Sequence, residues 1–446
     1  MNPSGETLTA HLAPGTYSPA TNLEAFPLHL PPSVELLGDP CGVRFEWELD
    51  PFNPIPQTIL KVDGAASPSA NPRVVVRDVV FFTPHRGLQV FVKNALDAPL
   101  IELQRVKSTA YYPLVVQVNA AKSATVLIQD CDLSGIVSGL KLTTFQDAHA
   151  TVFATRSRFS GSGTGAAIDL IPKNAGSHVD LSVTASVFAQ SGAGLRTTLS
   201  GGGTAQTTIE HCAFFKNQLF TVPPLATIGG IVDVNPVHST WPKHAVSNSV
   251  FFDNVFAQDM PQYEASRYTL GGNLVEQAGL PGTTVGTPLF ADPEAGDFHQ
   301  LAGSPTIDAG VPGFAPLSDL DGDPYTDGAP DVGPDERHPR YLYYKPASPK
   351  VGKTAQTRLH GTPDAAFGVG FALASTGTFG SFQLAGMSPQ PLFTGVVPPS
   401  GVFEGSLAIP DDATLVGVTV FHQALFWEPG GQVGWSANAV ENLLCQ

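Results

Sequence analysis

The chain has 446 residues, of which 40 are Pro and 45 Gly; only 14% are charged, and the formal net charge is −16. That many turn formers argue against a predominantly helical protein, and a normal aromatic content without low-complexity pattern argues against disorder. The acidic balance disfavours nucleic acid as a partner, since a duplex would be repelled rather than bound with counterion release. No run of about 18 apolar residues occurs, so no membrane span is expected.

Residues 8–38 open the chain with short runs that alternate apolar and polar side chains, as strands facing a core do. They are Leu8-Thr-Ala-His-Leu-Ala-Pro-Gly-Thr-Tyr-Ser18, Phe26-Pro-Leu-His-Leu-Pro31 and Val34-Glu-Leu-Leu-Gly38. Residues 40–73, with Pro51-Phe-Asn-Pro-Ile-Pro56, are expected to form a loop thrown out from a rung.

From about Val74 to Val275 the chain repeats. Seven short runs align: Asp78-Val-Val-Phe81, Arg105-Val-Lys-Ser108, Asp130-Cys-Asp-Leu133, Arg156-Ser-Arg-Phe159, Ala185-Ser-Val-Phe188, His211-Cys-Ala-Phe214 and Asn248-Ser-Val-Phe251. Their last members are 27, 25, 26, 29, 26 and 37 residues apart. A second ladder keeps step: Leu88-Gln89-Val90, Leu114-Val115-Val116, Leu140-Lys141-Leu142, Ile168-Asp169-Leu170, Leu195-Arg196-Thr197 and Leu219-Phe220-Thr221. One coil cannot bury its apolar side alone, but neighbours stacked about 4.8 Å apart share a continuous core. The repeat predicts a right-handed parallel β-helix, with Phe81, Leu133, Phe159, Phe188, Phe214 and Phe251 stacked inside.

The Pro-Gly-Thr-Tyr, Phe-Pro-Leu and Leu-Gly sequence of residues 14–38 resembles the opening rungs of right-handed parallel β-helix proteins in the pectate-lyase-like superfamily. Asp292-Pro293, Gly296-Asp297-Phe298, Gly303-Ser-Pro-Thr-Ile-Asp-Ala-Gly310 and Asp319-Leu-Asp-Gly-Asp-Pro324 with Asp331-Val-Gly333 resemble the closing signature of secreted bacterial β-helix proteins. The likeness spans residues 8–336. It implies a fold and not a function, because this fold hosts lyases, hydrolases, adhesins and scaffolds. It also implies export, so an export segment is expected to be missing ahead of Met1-Asn-Pro-Ser-Gly-Glu6, which has no apolar signal core.

After Pro339 the pattern changes. Strand-like runs at 368–374, 381–384, 402–409 and 414–421 predict a small antiparallel β-sandwich over 341–446, with Tyr341-Leu-Tyr-Tyr-Lys-Pro346 as linker and first strand. It resembles the C-terminal β-domains of exported bacterial proteins, which serve for attachment or sorting. The fold class is all-β, with domains at 1–336 and 341–446.

The four cysteines do not read as a disulfide framework. Cys131 and Cys212 share a repeat position three rungs apart, roughly 14 Å at the sheet spacing, beyond disulfide reach. Ser157, Ser186 and Ser249 occupy the matching places, so both cysteines read as packed thiols.

Two constellations could carry chemistry. Asp319, Asp321, Asp323, Asp327 and Asp331 fall within 13 residues around Gly322. Ca²⁺ takes roughly six to eight hard oxygens, and clustered carboxylates otherwise repel. These are the candidate calcium ligands, with turn capping by short Asx side chains as the competing reading. The second constellation is the outward column Lys141, Asp169 and Arg196, echoed by Arg105/Lys107, Asp130/Asp132 and Arg156/Arg158. Lyases of this fold set a base near the acidic α-carbon of a uronate and a cation on its carboxylate. Alternating signs on adjacent rungs equally make a salt-bridge ladder. His238 and His244, in an interruption at 225–246, read as solvent-exposed.

The reading favours an exported surface, adhesive or fibre-type structural module, extracellular or on the cell surface, with polysaccharide or identical subunits as partners. It leans away from an enzyme. The alternative is a carbohydrate-active enzyme, either a polysaccharide lyase on the Lys141 face or a glycosidase using Asp130/Asp132 with Asp169.

Overall fold

The computed structural model of the protein describes residues 7–22, 25–31, 33–48, 57–64, 73–92, 99–119, 123–161, 165–218, 226–228, 230–234, 242–254, 268–276, 282–313, 318–323, 325, 329–338, 340–345, 349–372, 390–436 and 440–445. The chain divides into two compact units, Met1–Glu336 and Arg337–Gln446.

In the first unit the repeat folds into three sheets, each turn of the chain adding one strand to each sheet. The 11-stranded sheet B carries the phenylalanine ladder, and the 9-stranded sheet C carries the second ladder. A 10-stranded sheet A, whose strands include Ser123–Gln129, His149–Thr155 and His178–Thr184, completes the coil. Sequence analysis did not name this third ladder, although its strands alternate most regularly. Ala124, Val126 and Ile128 are buried in one rung, and Val179, Leu181 and Val183 in another. Described strand pairs of sheets A and B are all parallel, so the first unit is a parallel β-solenoid.

A single residue turns the chain from sheet A into sheet B. Asp78, Arg105, Asp130, Arg156, Ala185, His211 and Asn248 hold this corner, all left-handed with φ from 46° to 56°. They are the first members of the runs aligned above. The next position is held by buried Cys131, Ser157, Ser186, Cys212 and Ser249. The amides of Cys131 and Cys212 donate to Ser157 Oγ and Ser249 Oγ at 3.1 Å, which ties one rung to the next. Both cysteines are free and buried.

The expected stack is in place: Phe81, Leu133, Phe159, Phe188, Phe214 and Phe251 are at most 1% exposed. Phe188 lies 4.4 Å from Phe214, which lies 4.6 Å from Phe251, ring centre to ring centre and nearly parallel. Such contacts add to the burial of each ring.

Two expectations about rungs are corrected. Residues 40–73 are not simply an excursion: Val43–Glu46 and Thr58–Gly64 are strands in register with their neighbours in sheets B and C. The strand that follows Ala193–Thr198 in sheet C is Ile231–Val234, inside the expected interruption. Leu219-Phe220-Thr221 lies outside the described residues.

Past Thr283–Val285 the chain stops coiling and folds back along sheet B. Phe290, Phe298 and Val332 pack on Val187, Ala213, Phe215, Val250, Phe252 and Leu274, the outward neighbours of the inner ladder. The corner column anchors this segment: Arg156 donates to Ser318 Oγ at 2.9 Å, and the Asn248 side chain exchanges hydrogen bonds with Val311 at 2.7 and 3.0 Å.

In the second unit a 3-stranded and a 5-stranded antiparallel sheet share one core, built from Leu342, Ala355 and Leu359 on one side and Phe367, Val369, Ala424 and Phe426 on the other. The expected run 414–421 is a short 3-10 turn, Ala413–Leu415, followed by the strand Thr419–Trp427. Residues 381–384 lie outside the described residues.

Candidate functional site

The outer face of sheet C brings Lys141, Asp169 and Arg196 together, because parallel register sets them on successive strands in one column. Arg196 holds Asp169 through Nε at 3.1 Å and Nη2 at 2.7 Å. Asp169 is 4% exposed, so its partner is a neutralising cation and no room is left for a substrate carboxylate at the same guanidinium edge. The hydrogen bond to Asp169 raises the pKa of Arg196 further, against a burial penalty.

Lys141 behaves differently. Its ammonium does not pair with Asp169 but lies 5.0 Å above the ring of Tyr112. Burial pushes the Tyr112 phenol up, and the Asp169 charge adds to this while Arg86 and Arg196 oppose it. The motif recurs along the face, with Lys173 above Phe145 at 5.1 Å and Lys61 above Phe91 at 5.6 Å. Arg86, Lys141 and Lys173 make no ion pair among the described residues. Lys61, Arg86, Lys141, Lys173 and Arg196 are thus basic residues carried by the strands of sheet C, and Asp169 is the carboxylate that Arg196 holds.

Several other charges are paired between rungs, while Arg158 lies over the ring of Phe298. Arg105 is hydrogen-bonded to Asp78 at 2.6 and 2.7 Å, and Arg156 to Asp130 at 2.7 and 3.0 Å, all four being corner residues. On sheet A, Arg73 bridges Glu35 and Glu102, which also takes Arg77. Asp130 stands at the corner, Asp132 on sheet B and Asp169 on sheet C, so the glycosidase carboxylates do not share a face.

The aspartate loop lies in the folded-back segment. Asp319 accepts the amides of Asp321, Asp323 and Glu336 at 3.0, 2.8 and 3.2 Å. Asp331 accepts the Asp308 amide at 2.6 Å and the Gln300 side chain at 3.0 Å. Asp321 lies 3.1 Å from His299 Nε2, and Asp297 lies 2.6 Å from Nδ1 of the same ring. Burial would lower the pKa of His299, yet the charges of Asp335, Asp321 and Asp319 push it up to about 10. Its imidazolium is therefore a cation built into the cluster. Burial and the charges of Asp321 and Asp323 push Asp319 up to about 8. Asp327 lies outside the described residues.

His299 escapes a reading of the sequence because, Asp297 apart, the carboxylates around it (Asp319, Asp321 and Asp335) are about 20 to 36 residues away in the chain. His244, expected to be exposed, is buried; His238 lies outside the described residues. His244 Nδ1 is 2.8 Å from Thr207 Oγ1, and Nε2 is 3.2 Å from both oxygens of Asp233. The order of groups is that of a nucleophilic triad, but all three are at most 1% exposed inside the coil. No substrate reaches them, and their bonds satisfy one another's polar atoms. No protein-family model matches the chain, and no curated protein matches it.

Proposed function

We propose that the protein is an exported adhesive β-solenoid module whose outer sheet C face binds an acidic polysaccharide. The observation that carries this is the five basic side chains, three of them over aromatic rings, on one sheet of an acidic chain. Cations carried on five strands of one sheet suit a polymer with a carboxylate on each sugar, and aromatic rings offer apolar surface for sugar faces. Asp169, clamped by Arg196, supports a binding role over catalysis on this face. Export rests on the likeness of the closing segment to secreted bacterial β-helices.

The reading is tested by measuring binding to uronate polymers and neutral glucans. Expected is binding to the uronates only, weakened by salt and by Lys141→Ala with Lys173→Ala. Equal binding to neutral glucans overturns it, and equal binding to single-stranded DNA makes the face a general polyanion surface. A second reading, a polysaccharide lyase, is favoured by one observation: Lys141 has no carboxylate partner among the described residues and is placed to act as a base. Ultraviolet absorbance from unsaturated uronate, abolished by Lys141→Ala, would establish it.

A further inference from the structure

We propose that His149, His178 and Asp180 form a binding site for a divalent transition-metal ion on the outer face of sheet A. The site is separate from the sheet C face, and its support is independent of it.

His149 and His178 are register partners on neighbouring strands, with ring centres 5.1 Å apart and planes at 65°. Asp180 follows His178 by two residues, so the two-residue period of a strand puts its carboxylate on the same face. His149 Nε2 lies 2.9 Å from Asp180 Oδ2, and His178 Nε2 lies 2.9 Å from Oδ1. One donor atom from each residue falls within 4.8 Å of the other two. Metal–ligand bonds of about 2.1 Å place adjacent donors about 3.0–3.4 Å apart, so small side-chain shifts bring the three atoms to coordinating positions.

The hydrogen bonding of His178 orients it for this purpose. Its Nδ1 lies 2.7 Å from Thr204 Oγ1, and that hydroxyl reaches the Ser177 carbonyl at 3.5 Å. When that hydroxyl donates to the carbonyl it accepts from Nδ1–H, the tautomer in which the Nε2 lone pair of His178 is available to a metal ion. An outer group that fixes the ring tautomer in this way is characteristic of ligating histidines.

Charge and access agree. Asp180 pairs with these two histidines and with no lysine or arginine among the described residues. The side chains are 46%, 31% and 39% exposed, which leaves the remaining coordination positions open to water or to a ligand. Two imidazoles and one carboxylate suit Zn²⁺, Ni²⁺ or Cu²⁺ and disfavour Ca²⁺ and Mg²⁺, which take oxygen.

The test is calorimetric titration of the full, untagged chain with zinc chloride at neutral pH, repeated with cobalt(II) to read its visible spectrum. Expected is a saturable site whose dissociation constant rises at least about tenfold in each of His149→Gln, His178→Gln and Asp180→Asn, since loss of an outer-shell partner alone costs about that much. Asp321→Asn, in the folded-back segment, is expected to keep the site. Circular dichroism of each variant separates lost ligation from lost folding. Zinc binding of wild-type strength in the three variants overturns the proposal. So does the absence of saturable binding, which would make the cluster a proton-bridged ion pair.

Discussion

Arg196 grips Asp169 from the neighbouring strand through two hydrogen bonds, of 3.1 and 2.7 Å, with the carboxylate 4% exposed. Removing Arg196 would leave that carboxylate buried and unpaired. Arg196→Ala is expected to cost about 3 kcal/mol, the low end for breaking a buried pair. Lys141→Ala removes a cation–π contact worth about 0.5–1 kcal/mol at an exposed site. Denaturant titration of the two variants checks the order, and an equal loss would refute the asymmetry of the column.

The phenylalanine ladder carries the solenoid core. Phe188→Ala removes a ring that is fully buried and stacked on both Phe159 and Phe214. The expected loss is about 3–5 kcal/mol, the usual range for an aromatic core truncation. A loss below about 1 kcal/mol, read from the denaturant midpoint, would show that the site collapses around the gap.

The folded-back segment should respond to alkali. The pKa of His299 is raised from 6.5 to about 10, so its favourable contribution is complete below 6.5 and is lost as pH rises through 10. Asp319, raised from 3.8 to about 8, acts with the same sign: its protonated form is favoured in the fold, and stability falls as pH rises through 8. Protection factors at 297–336, with exchange corrected for its intrinsic base catalysis, are therefore expected to fall between about pH 7 and 10. His299→Gln should exchange faster at pH 7 and show a flatter pH dependence; an unchanged profile would remove His299 from this role.

The same imidazolium bears on calcium. It already sits against the carboxylates of Asp297 and Asp321, and the oxygens of Asp319 and Asp331 accept backbone amides. Millimolar Ca²⁺ added to a chelated sample is expected to leave the melting temperature of the wild type unchanged and to raise that of His299→Gln. A ligand of the folded state alone raises apparent stability by mass action. A rise in the wild type would return the loop to cation binding.

Burial pushes the thiols of Cys131 and Cys212 up to about 12. The thiolate is the reactive species, so neither should be alkylated in the native state at pH 8. Peptide mass spectrometry after iodoacetamide, with and without denaturant, reads this directly.

The repeat is local information, and the sequence by itself determined it. The runs from Asp78-Val-Val-Phe81 to Asn248-Ser-Val-Phe251 already contain the corner residue, the small packed residue and the inward ring, because each rung must solve the same turn and the same burial. From that followed the parallel solenoid, the inner stack and the column Lys141, Asp169 and Arg196. A column-by-column reading would also have found the histidine pair, since the step of 29 from Phe159 to Phe188 equals the step from His149 to His178. Tertiary structure alone decided which charges meet. Lys141 could take Asp169 or the Tyr112 ring, and the choice depends on side-chain reach across two strands. His299 finds Asp321 and Asp335 only because the chain folds back over sheet B, and His244 finds Asp233 only across the coil interior. Alternation along a strand places a side chain on a face, but the partner it meets there is set by packing between segments distant in the chain.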